Sequence, residues 1–277
     1  MKDSYIRILE NAYKSLTEKV EFSPDILLIL GSGLGGIVDE MQVESVVDYK
    51  DIDGMPISTV DGHEGRFLFG YIRGVKVAIM QGRLHYYEGY TPQECIMPIR
   101  LIAMMGAKVM FLTNASGGIT CTQTGALMRI TDHISLVPSP LIGENYSRLG
   151  KRFPDMSEPY DKQLGSAIDA LAKDLDIDLK KGVYIQFQGP NFETASEIRM
   201  AKILGADAVG MSSAIEVIGA RHVGMRVVAI ACIVNPACGT VEGLTLDNVD
   251  EKSAVAKSEE KLKQLIFGGI EKIKELI

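Results

Sequence analysis

Three short stretches of the sequence combine glycine with side chains that can bind an anion. Each follows an apolar segment typical of a buried strand. In chain order they are Gly31–Gly36 (GSGLGG), Gln81–Tyr90 (QGRLHYYEGY) and Thr113–Gly118 (TNASGG). Glycine allows successive backbone N–H groups to converge on an anion. Because loops that follow the strands of an open α/β sheet gather at one crevice, we expect an anion-binding site there.

The first stretch formally matches the GxGxxG pattern of dinucleotide-binding proteins, and Asp51 or Asp53 lies near the offset of a ribose-binding acid. An NAD-dependent oxidoreductase is therefore one alternative. However, only about ten residues (37–45) separate this stretch from the next predicted strand, whereas a βαβ unit needs roughly 30. Two interpretations of this stretch stay open: a phosphate-binding turn in which the Ser32 hydroxyl adds a donor, and a tight strand-to-helix turn that binds nothing.

The second stretch places Arg83 and His85 two residues apart, next to three tyrosines. If strand geometry continues, both side chains face one side and can hold a single tetrahedral anion. Arg83 would bind through its planar fork and His85 through one ring N–H. The alternative is an aromatic loop that packs on the core and leaves Arg83 in solvent.

Composition indicates one globular domain spanning residues 1–277, because 46% of the residues are hydrophobic, 23% are charged, and we find no repeat or linker. The net charge of −7 offers no basic surface for nucleic acid or an acidic membrane. The N-terminal segment lacks an apolar leader and no apolar run reaches membrane-spanning length, so we expect a cytoplasmic protein. Four cysteines and four histidines show no metal-ligand spacing, which predicts reduced thiols and no metal site.

Hydrophobic periodicity predicts an α/β fold with a mixed central sheet flanked by helices. The closely spaced strands between Ser45 and Met80 leave no room for crossover helices, so we expect them to pair antiparallel. The predicted strands are Asp25–Leu30, Ser45–Tyr49, Arg66–Tyr71, Val75–Met80, Lys108–Leu112, Leu127–Val137, Lys181–Phe187, Ala206–Gly210 and Arg226–Val234. The predicted helices are Tyr5–Val20, Pro92–Gly106, Lys162–Leu175, Thr194–Leu204 and Asp250–Leu276.

The order of motifs along most of the chain resembles the trimeric, low-molecular-mass purine nucleoside phosphorylases. The motifs are GSGLG, VDGHEGR, QGRLHYYEGY, TNASGG, RFPDMSEPYD, GPNFETASEIRM and GADAVGMSSAIEVIGARH. The resemblance implies a single-domain nucleoside phosphorylase fold and a homotrimer. It also implies a pentosyltransferase of purine salvage that cleaves inosine, guanosine and their deoxy forms with phosphate. The products would be the free base and (deoxy)ribose 1-phosphate, with phosphate as co-substrate and no cofactor.

The same resemblance assigns the site residues. It implies that catalysis involves His85, Glu193 and Asn235. The implied phosphate ligands are Ser32, His63, Arg83, His85, Ala115 and Ser212. The implied nucleoside contacts are Tyr87, Ala115, Ser116, Phe153 from a neighbouring subunit, Phe192, Glu193, Val209, Met211 and Asn235. Structural roles are the alternative: Phe192 and Met211 as core residues, Glu193 as the N-terminal charge of a helix, and Asn235 as a turn residue.

The sequence departs from the family pattern in two places. No histidine follows His222, where the family commonly has one that contacts the ribose 5′-hydroxyl, and Asp247 or Asn248 lies in that region. Ile215 stands where a proline is usual. Besides the NAD-dependent enzyme, two alternatives stay open: a 5′-methylthioadenosine phosphorylase of the same fold, disfavoured by Asn235 in place of an aspartate, and a purine-binding protein without catalysis.

Overall fold

The computed structural model describes residues 4–31, 35–60, 64–243, 245–246 and 251–277, and only the backbone of Gly35, Glu251 and Lys252. Within these ranges the chain folds into one mixed sheet flanked by helices, as predicted. No helix of the described part of the chain is long and apolar enough to span a membrane.

Nine strands form the sheet in the order β2-β3-β4-β1-β5-β8-β7-β6-β9. Each predicted strand is present, and β2, β3 and β4 pair antiparallel as expected. The strands are β1 (Ile26–Leu30), β2 (Gln42–Asp48), β3 (Arg66–Ile72), β4 (Val75–Gln81), β5 (Val109–Gly118), β6 (Leu127–Ser135), β7 (Leu179–Gln186), β8 (Ala208–Gly210) and β9 (Arg226–Pro236).

The sheet closes on itself at one end, because β9 pairs with both β6 and β5. The strands β5, β8, β7, β6 and β9 therefore form a ring, and the flat part of the sheet extends from β5. Strands β4 and β5 each run parallel to β1, and β9 runs parallel to β5. Their carboxyl ends consequently meet at one edge, which is where ligands bind in sheets of this kind.

Helices cover both faces of the sheet. They are α1 (Tyr5–Thr17), α2 (Pro92–Cys95), α3 (Met97–Met104), α4 (Lys162–Asp174), α5 (Ala195–Ile203), α6 (Ala214–His222), α7 (Glu251–Ala256) and α8 (Glu259–Lys274). Strand β1 shows how the layers form: Leu27 and Ile29 pack with α1, α3 and α6, whereas Ile26, Leu28 and Leu30 pack with α4, α7 and α8. Successive side chains of a strand point to opposite faces, so a continuous apolar run suits a strand covered on both sides.

The structure corrects one prediction about the loops, and it agrees with the expected lack of a crossover helix after the first stretch. The stretch Thr113–Gly118 is not a loop, because pairing with β9 and β8 continues β5 through Gly118. The first stretch is not followed by the crossover helix of a dinucleotide fold, since a 3-10 helix, Gly35–Glu40, leads directly to β2. The continuation of β5 depends on pairing with strands distant in the sequence, which the periodicity of the segment itself does not report.

The predicted helices also differ in detail. Helix α6 was not predicted, because no side chain caps its N-terminus and its β-branched residues and Gly219 are weak helix formers. The helix expected over Pro92–Gly106 is divided into α2 and α3, since Pro98 has no N–H to continue the hydrogen-bond ladder. The helix expected over Asp250–Leu276 is divided before Ser258, whose hydroxyl donates to the Val255 carbonyl at 3.3 Å.

Gly118 ends β5 where the ring closes against β8. A methyl group there would overlap the carbonyl oxygen of Cys121 and lie 2.9 Å from Cγ2 of Ile233. We expect Gly118→Ala to lower the free energy of unfolding by about 1–3 kcal/mol, the usual cost of overpacking. Urea denaturation of the purified protein measures this change.

Gly268→Ala on α8 is the matched control. The atoms nearest to the added methyl group belong to the flexible side chain of Leu171. In a helix interior, alanine is more stable than glycine by about 0.5–1 kcal/mol. Its free energy of unfolding should therefore change little. Equal losses in the two variants would contradict the role given to Gly118.

Candidate active site

A cleft of about 680 Å³, including its open mouth, lies at the carboxyl ends of β4, β5 and β9. Side chains from the segments after β4 and β8 and before α5 complete its wall. The lining residues are Arg83, His85, Tyr87, Ala115, Ser116, Gly117, Phe192, Glu193, Val209, Gly210, Met211, Ser212, Val234, Asn235, Ala237 and Leu246. Segments far apart in sequence therefore meet in one concave site, which is the usual form of a small-molecule site.

Arg83 is 2% exposed and is held by two other elements. Its Nη2 donates to the carbonyl of Thr113 on β5 at 2.8 Å, and its Nε donates to Oε1 of Glu216 on α6 at 3.2 Å. Glu216 is 1% exposed, so this is a buried ion pair. The guanidinium is thus fixed at the cleft wall, which contradicts the alternative that Arg83 lies in solvent.

His85 lies beside Arg83 and is oriented by Glu88. The His85 Nδ1 is 3.2 Å from Oε1 of Glu88, which also accepts the backbone N–H of His85 at 2.7 Å. Burial opposes ionisation of Glu88, but hydrogen bonds from His85 and Thr59 outweigh it and lower the pKa of Glu88 to about 2. An ionised carboxylate only accepts, so the Nδ1–H of His85 donates to Glu88 and fixes the orientation of the imidazole ring.

Ser212 lies at the turn between β8 and α6, 8% exposed, and its backbone N–H donates to the Tyr184 hydroxyl at 3.3 Å. The next residue, Ser213, is fully buried and has φ +78°, a left-handed value that is rare outside glycine. The turn therefore presents Ser212 to the cleft that Arg83 and His85 also line.

The cleft is also lined by a carboxylate and an amide. Glu193 is 6% exposed, its Oε1 has no hydrogen-bond partner among the described residues, and burial raises its pKa. Asn235 is 8% exposed, and its Nδ2 donates to the carbonyl of Pro236 at 2.7 Å. This bond leaves the Oδ1 and the second N–H of Asn235 for a ligand.

Glu193 directly precedes helix α5 but does not cap it. Thr194 is the N-cap, and Glu197 completes a capping box by accepting the backbone N–H of Thr194 at 2.7 Å. The capping box fixes where α5 begins and so leaves the preceding Glu193 directed into the cleft.

Tyr87 and Met211 also line the cleft. Tyr87 stacks on the ring of His85 with centroids 4.7 Å apart. Both side chains lie close to Gly189, where a Cβ would come within 3.0 Å of Tyr87 Cδ1 and collide with Met211 Sδ. A glycine is therefore required there.

The structure brings eleven of the predicted site residues together in this cleft: Arg83, His85, Tyr87, Ala115, Ser116, Phe192, Glu193, Val209, Met211, Ser212 and Asn235. Phe153 lies elsewhere, 86% exposed in a surface depression with Ile142. Ser32 and His63 lie outside the described residues, as do Asp247 and Asn248. Within the described ranges, no group of three or more His, Cys, Asp or Glu side chains is placed to hold a metal ion.

Sequence reasoning missed the side chains that hold the predicted ligands. Glu216 pairs with Arg83, and Glu88 with His85. One signal was available: Glu216 is a single acid within the apolar segment Ala214–Ala220, and an acid at such a position is usually buried with a partner. No comparable signal marks Asn114 or Ser213, which lie beneath Ser116 and Ser212.

Comparison with known proteins places the chain in a family. A model of the phosphorylase superfamily matches residues 25–267. Purine nucleoside phosphorylase 1 of Geobacillus stearothermophilus is 45% identical over 254 residues, which cover 91% of this chain and 93% of that protein. The chain belongs to the purine nucleoside phosphorylases of the phosphorylase superfamily.

Solved structures of purine nucleoside phosphorylases share the fold. One is a schistosoma purine nucleoside phosphorylase in complex with hypoxanthine, with a TM-score of 0.90, 32% identity, and coverage of 96% of this chain and 97% of that one. Another is isoform 2 from Schistosoma mansoni in complex with cytosine and ribose-1-phosphate, with a TM-score of 0.89, 33% identity and coverage of 95% of each chain. The resemblance read from the motifs and the expected fold class are therefore confirmed. Membership of the purine nucleoside phosphorylases does not support the oxidoreductase or methylthioadenosine alternatives.

The raised pKa of Glu193 has a consequence for stability. Because burial disfavours its ionised form, Glu193 destabilises the folded state at pH values above its folded pKa, and this cost vanishes below the unfolded value of about 4.3. We expect Glu193→Gln to raise the Tm at pH 7, and the difference from the natural protein to shrink as the pH approaches 4. Thermal unfolding across this pH range measures the effect.

Glu197→Gln is the control of opposite sign. Hydrogen bonds from Thr194 lower the pKa of Glu197, so its charge stabilises the folded state at neutral pH. That variant should lose Tm at pH 7 and approach the natural protein in acid. A Tm of Glu193→Gln at or below that of the natural protein at pH 7 would show that the Glu193 carboxylate is not buried at a cost.

Proposed function

We propose that the chain cleaves 6-oxopurine nucleosides with inorganic phosphate, giving the free base and a pentose 1-phosphate. One observation carries the proposal: a single cleft is lined both by anion-binding groups and by a buried carboxylate and amide. In the proposed complex, phosphate binds at the anion-binding groups, the base binds at the carboxylate and amide, and the sugar lies between them against Tyr87 and Met211. The reaction takes no cofactor, because phosphate is the co-substrate.

The anion end fits orthophosphate through oriented donors. Arg83 and His85 are each held by a carboxylate, so the guanidinium and the imidazole ring keep fixed orientations. Preorganised donors of this kind stabilise developing charge without reorganising during the reaction. Ser212 adds a hydroxyl at the same end, and the family resemblance adds Ser32, His63 and the backbone N–H of Ala115.

Cleavage of the glycosidic bond makes the pentose cationic and the purine anionic in the transition state. Phosphate held beneath the sugar places its negative charge against the cationic carbon and presents an oxygen for attack. Attack from the face opposite the base inverts the configuration, so the product is the α-configured pentose 1-phosphate.

At the base end, Asn235 accepts a hydrogen bond at N7, where a proton neutralises the leaving purine, and donates its second N–H to O6. Glu193 accepts from N1–H through an oxygen that has no other described partner. Adenine presents a lone pair at N1 and an amino group at C6, so both contacts are mismatched. An unpaired buried polar group costs about 1–3 kcal/mol, which makes adenosine a poor substrate.

The assembly we propose is a homotrimer, in which Phe153 reaches the cleft of a neighbouring subunit. Phe153 is 86% exposed and Ile142 beside it is 65% exposed. Neither contacts the cleft of its own subunit, which is consistent with a role across an interface. Large exposed apolar side chains grouped on one surface are typical of protein contacts.

The basic assay follows released base from inosine, adenosine and methylthioadenosine, with and without phosphate. We expect phosphate-dependent release from inosine and little release from the two adenine nucleosides. Release from inosine that does not require phosphate would contradict the proposed reaction, and preferential release from methylthioadenosine would contradict the proposed substrate.

Glu193→Ala should lower kcat/KM for inosine by an amount equivalent to about 2.7–4 kcal/mol, the scale of removing one transition-state hydrogen bond. Glu260→Ala, which removes an exposed acid on helix α8 outside the cleft, is the control and should keep near-normal activity. Near-normal turnover of Glu193→Ala in steady-state assays would refute the role of Glu193.

Asn235→Asp should move the preference toward 6-aminopurines, because a carboxylate accepts a hydrogen bond from the C6 amine. The carboxylate also faces the Pro236 carbonyl, so we expect lower absolute rates with both substrates. The measured quantity is the ratio of kcat/KM for adenosine and inosine. An unchanged ratio would show that Asn235 does not recognise the base edge.

A further inference from the structure

Four buried polar side chains form a continuous hydrogen-bonded row beneath the cleft. The Ser116 hydroxyl donates to Oδ1 of Asn114 at 2.8 Å, and Nδ2 of Asn114 donates to Oγ of Ser213 at 2.8 Å. Oγ of Ser213 lies 3.2 Å from Oγ of Ser212. The exposed fractions are 2% for Ser116, 1% for Asn114, none for Ser213 and 8% for Ser212. Both ends of the row, Ser116 and Ser212, line the cleft, whereas Asn114 and Ser213 do not.

Local backbone geometry brings the four side chains together. Asn114 and Ser116 are two apart on β5, so their side chains lie on the same face. Ser213 occupies the centre of a γ-turn with φ +78° and ψ −52°, closed by the Ala214 N–H on the Ser212 carbonyl at 3.0 Å. This form of γ-turn is rare and strained, and such strain is kept where the surroundings hold it for a function. Here it places two consecutive serine hydroxyls side by side.

Counting donors gives the direction of the last bond. Ser213 accepts from Asn114, so its own proton needs another acceptor. The acceptor found among the described residues is Ser212, and a fully buried hydroxyl proton without one would lose its hydration uncompensated. Ser213 therefore donates to Ser212. The Ser212 proton is then free to point into the cleft.

The row has one other arrangement in which every group is satisfied. In it the Asn114 amide is flipped and each hydrogen bond runs in the opposite direction. In that direction Ser212 donates to Ser213 and shows the cleft only its lone pairs. An anion at Ser212 needs a donor and is repelled by lone pairs, so an anion selects the direction in which Ser212 donates outward. In this arrangement the Ser116 hydroxyl donates its hydrogen bond to Asn114, so Ser116 presents only its lone pairs to the cleft and acts there as an acceptor.

We propose that Asn114 and Ser213 are positioning residues. Their hydrogen bonds hold the Ser212 hydroxyl as a donor to phosphate and orient the Ser116 hydroxyl as an acceptor for the nucleoside. The proposal rests on the proposed function, which places phosphate at Ser212. It deepens that function by linking the phosphate end of the cleft to Ser116 through groups that touch neither substrate.

The test is a double-variant cycle on the KM for phosphate. Ser212→Ala removes the hydroxyl that contacts phosphate, and Ser213→Ala removes only the group behind it. We expect Ser213→Ala to raise the KM for phosphate about 3- to 10-fold, the effect of losing one oriented hydrogen bond, with kcat at saturating phosphate within about twofold. In the Ser212→Ala background, Ser213→Ala should have no further effect, because it acts through Ser212.

Asn114→Leu provides a second route to the same result, should Ser213→Ala fold poorly at its strained turn. It removes the donor to Ser213 at nearly constant volume, and its effect on the KM should likewise vanish in the Ser212→Ala background. Ser258→Ala is the matched control, since Ser258 is another buried serine, 1% exposed, away from the cleft. It should leave the KM for phosphate unchanged.

The possible outcomes separate the two proposals. Natural protein that releases base without needing phosphate would contradict the proposed function itself. Phosphate-dependent activity in the natural protein, together with an unchanged KM in Ser213→Ala and Asn114→Leu, would overturn the positioning role alone. So would an effect of Ser213→Ala that persists in the Ser212→Ala background, because it would reflect distortion of the turn.

Discussion

The buried ion pair between Arg83 and Glu216 connects the elements on which the cleft depends. It joins the segment after β4 to helix α6, and the bond from Arg83 to the Thr113 carbonyl adds β5. Removing one partner of such a pair leaves an uncompensated buried charge, which typically costs about 3–5 kcal/mol. The same pairing limits the net positive charge at this end. The proposed phosphate site therefore depends on the direction of its donors more than on charge, and Glu88 fixes the ring of His85 in the same way.

The other end of the cleft is built on the reverse arrangement. Glu193 is buried with an oxygen that no described group satisfies, so the folded protein retains a cost that a ligand donor can remove. Burial that raises the pKa of Glu193 also sharpens its selectivity, because a ligand with an N–H at this position relieves the cost and a ligand with a lone pair adds to it. Stability and specificity are thus opposed at this residue.

The closed ring of strands explains why these two ends can face each other. β5 and β9 run parallel from Val109 opposite Arg226 to Gly118 opposite Pro236, well beyond the flat part of the sheet. Their extensions carry Ser116 and Asn235, and the turn after β8 carries Ser212. Pairing on both edges keeps these segments in rigid strands rather than mobile loops. Groups on such segments hold their positions more precisely than groups on free loops.

Much of the fold could be predicted from the sequence, because apolar runs and helical spacing report burial that each segment carries with it. The strands, the antiparallel β2–β4 unit and the anion-binding stretches followed from these local patterns and from the order of motifs. The beginning of α6, the continuation of β5 through Gly118 and the closure of the ring did not, since each depends on partners distant in the chain.

The same distinction between local and long-range information applies to the site. The sequence alone determined which residue types could bind phosphate and a purine, since charge and hydrogen-bonding capacity belong to the side chain itself. Only the tertiary structure decided that Glu216 holds Arg83, that Glu88 holds His85, and that Asn114 and Ser213 lie behind the cleft wall. Those partners lie between 3 and 133 positions apart in the sequence, and it is their burial together, more than their spacing, that gives each contact its strength.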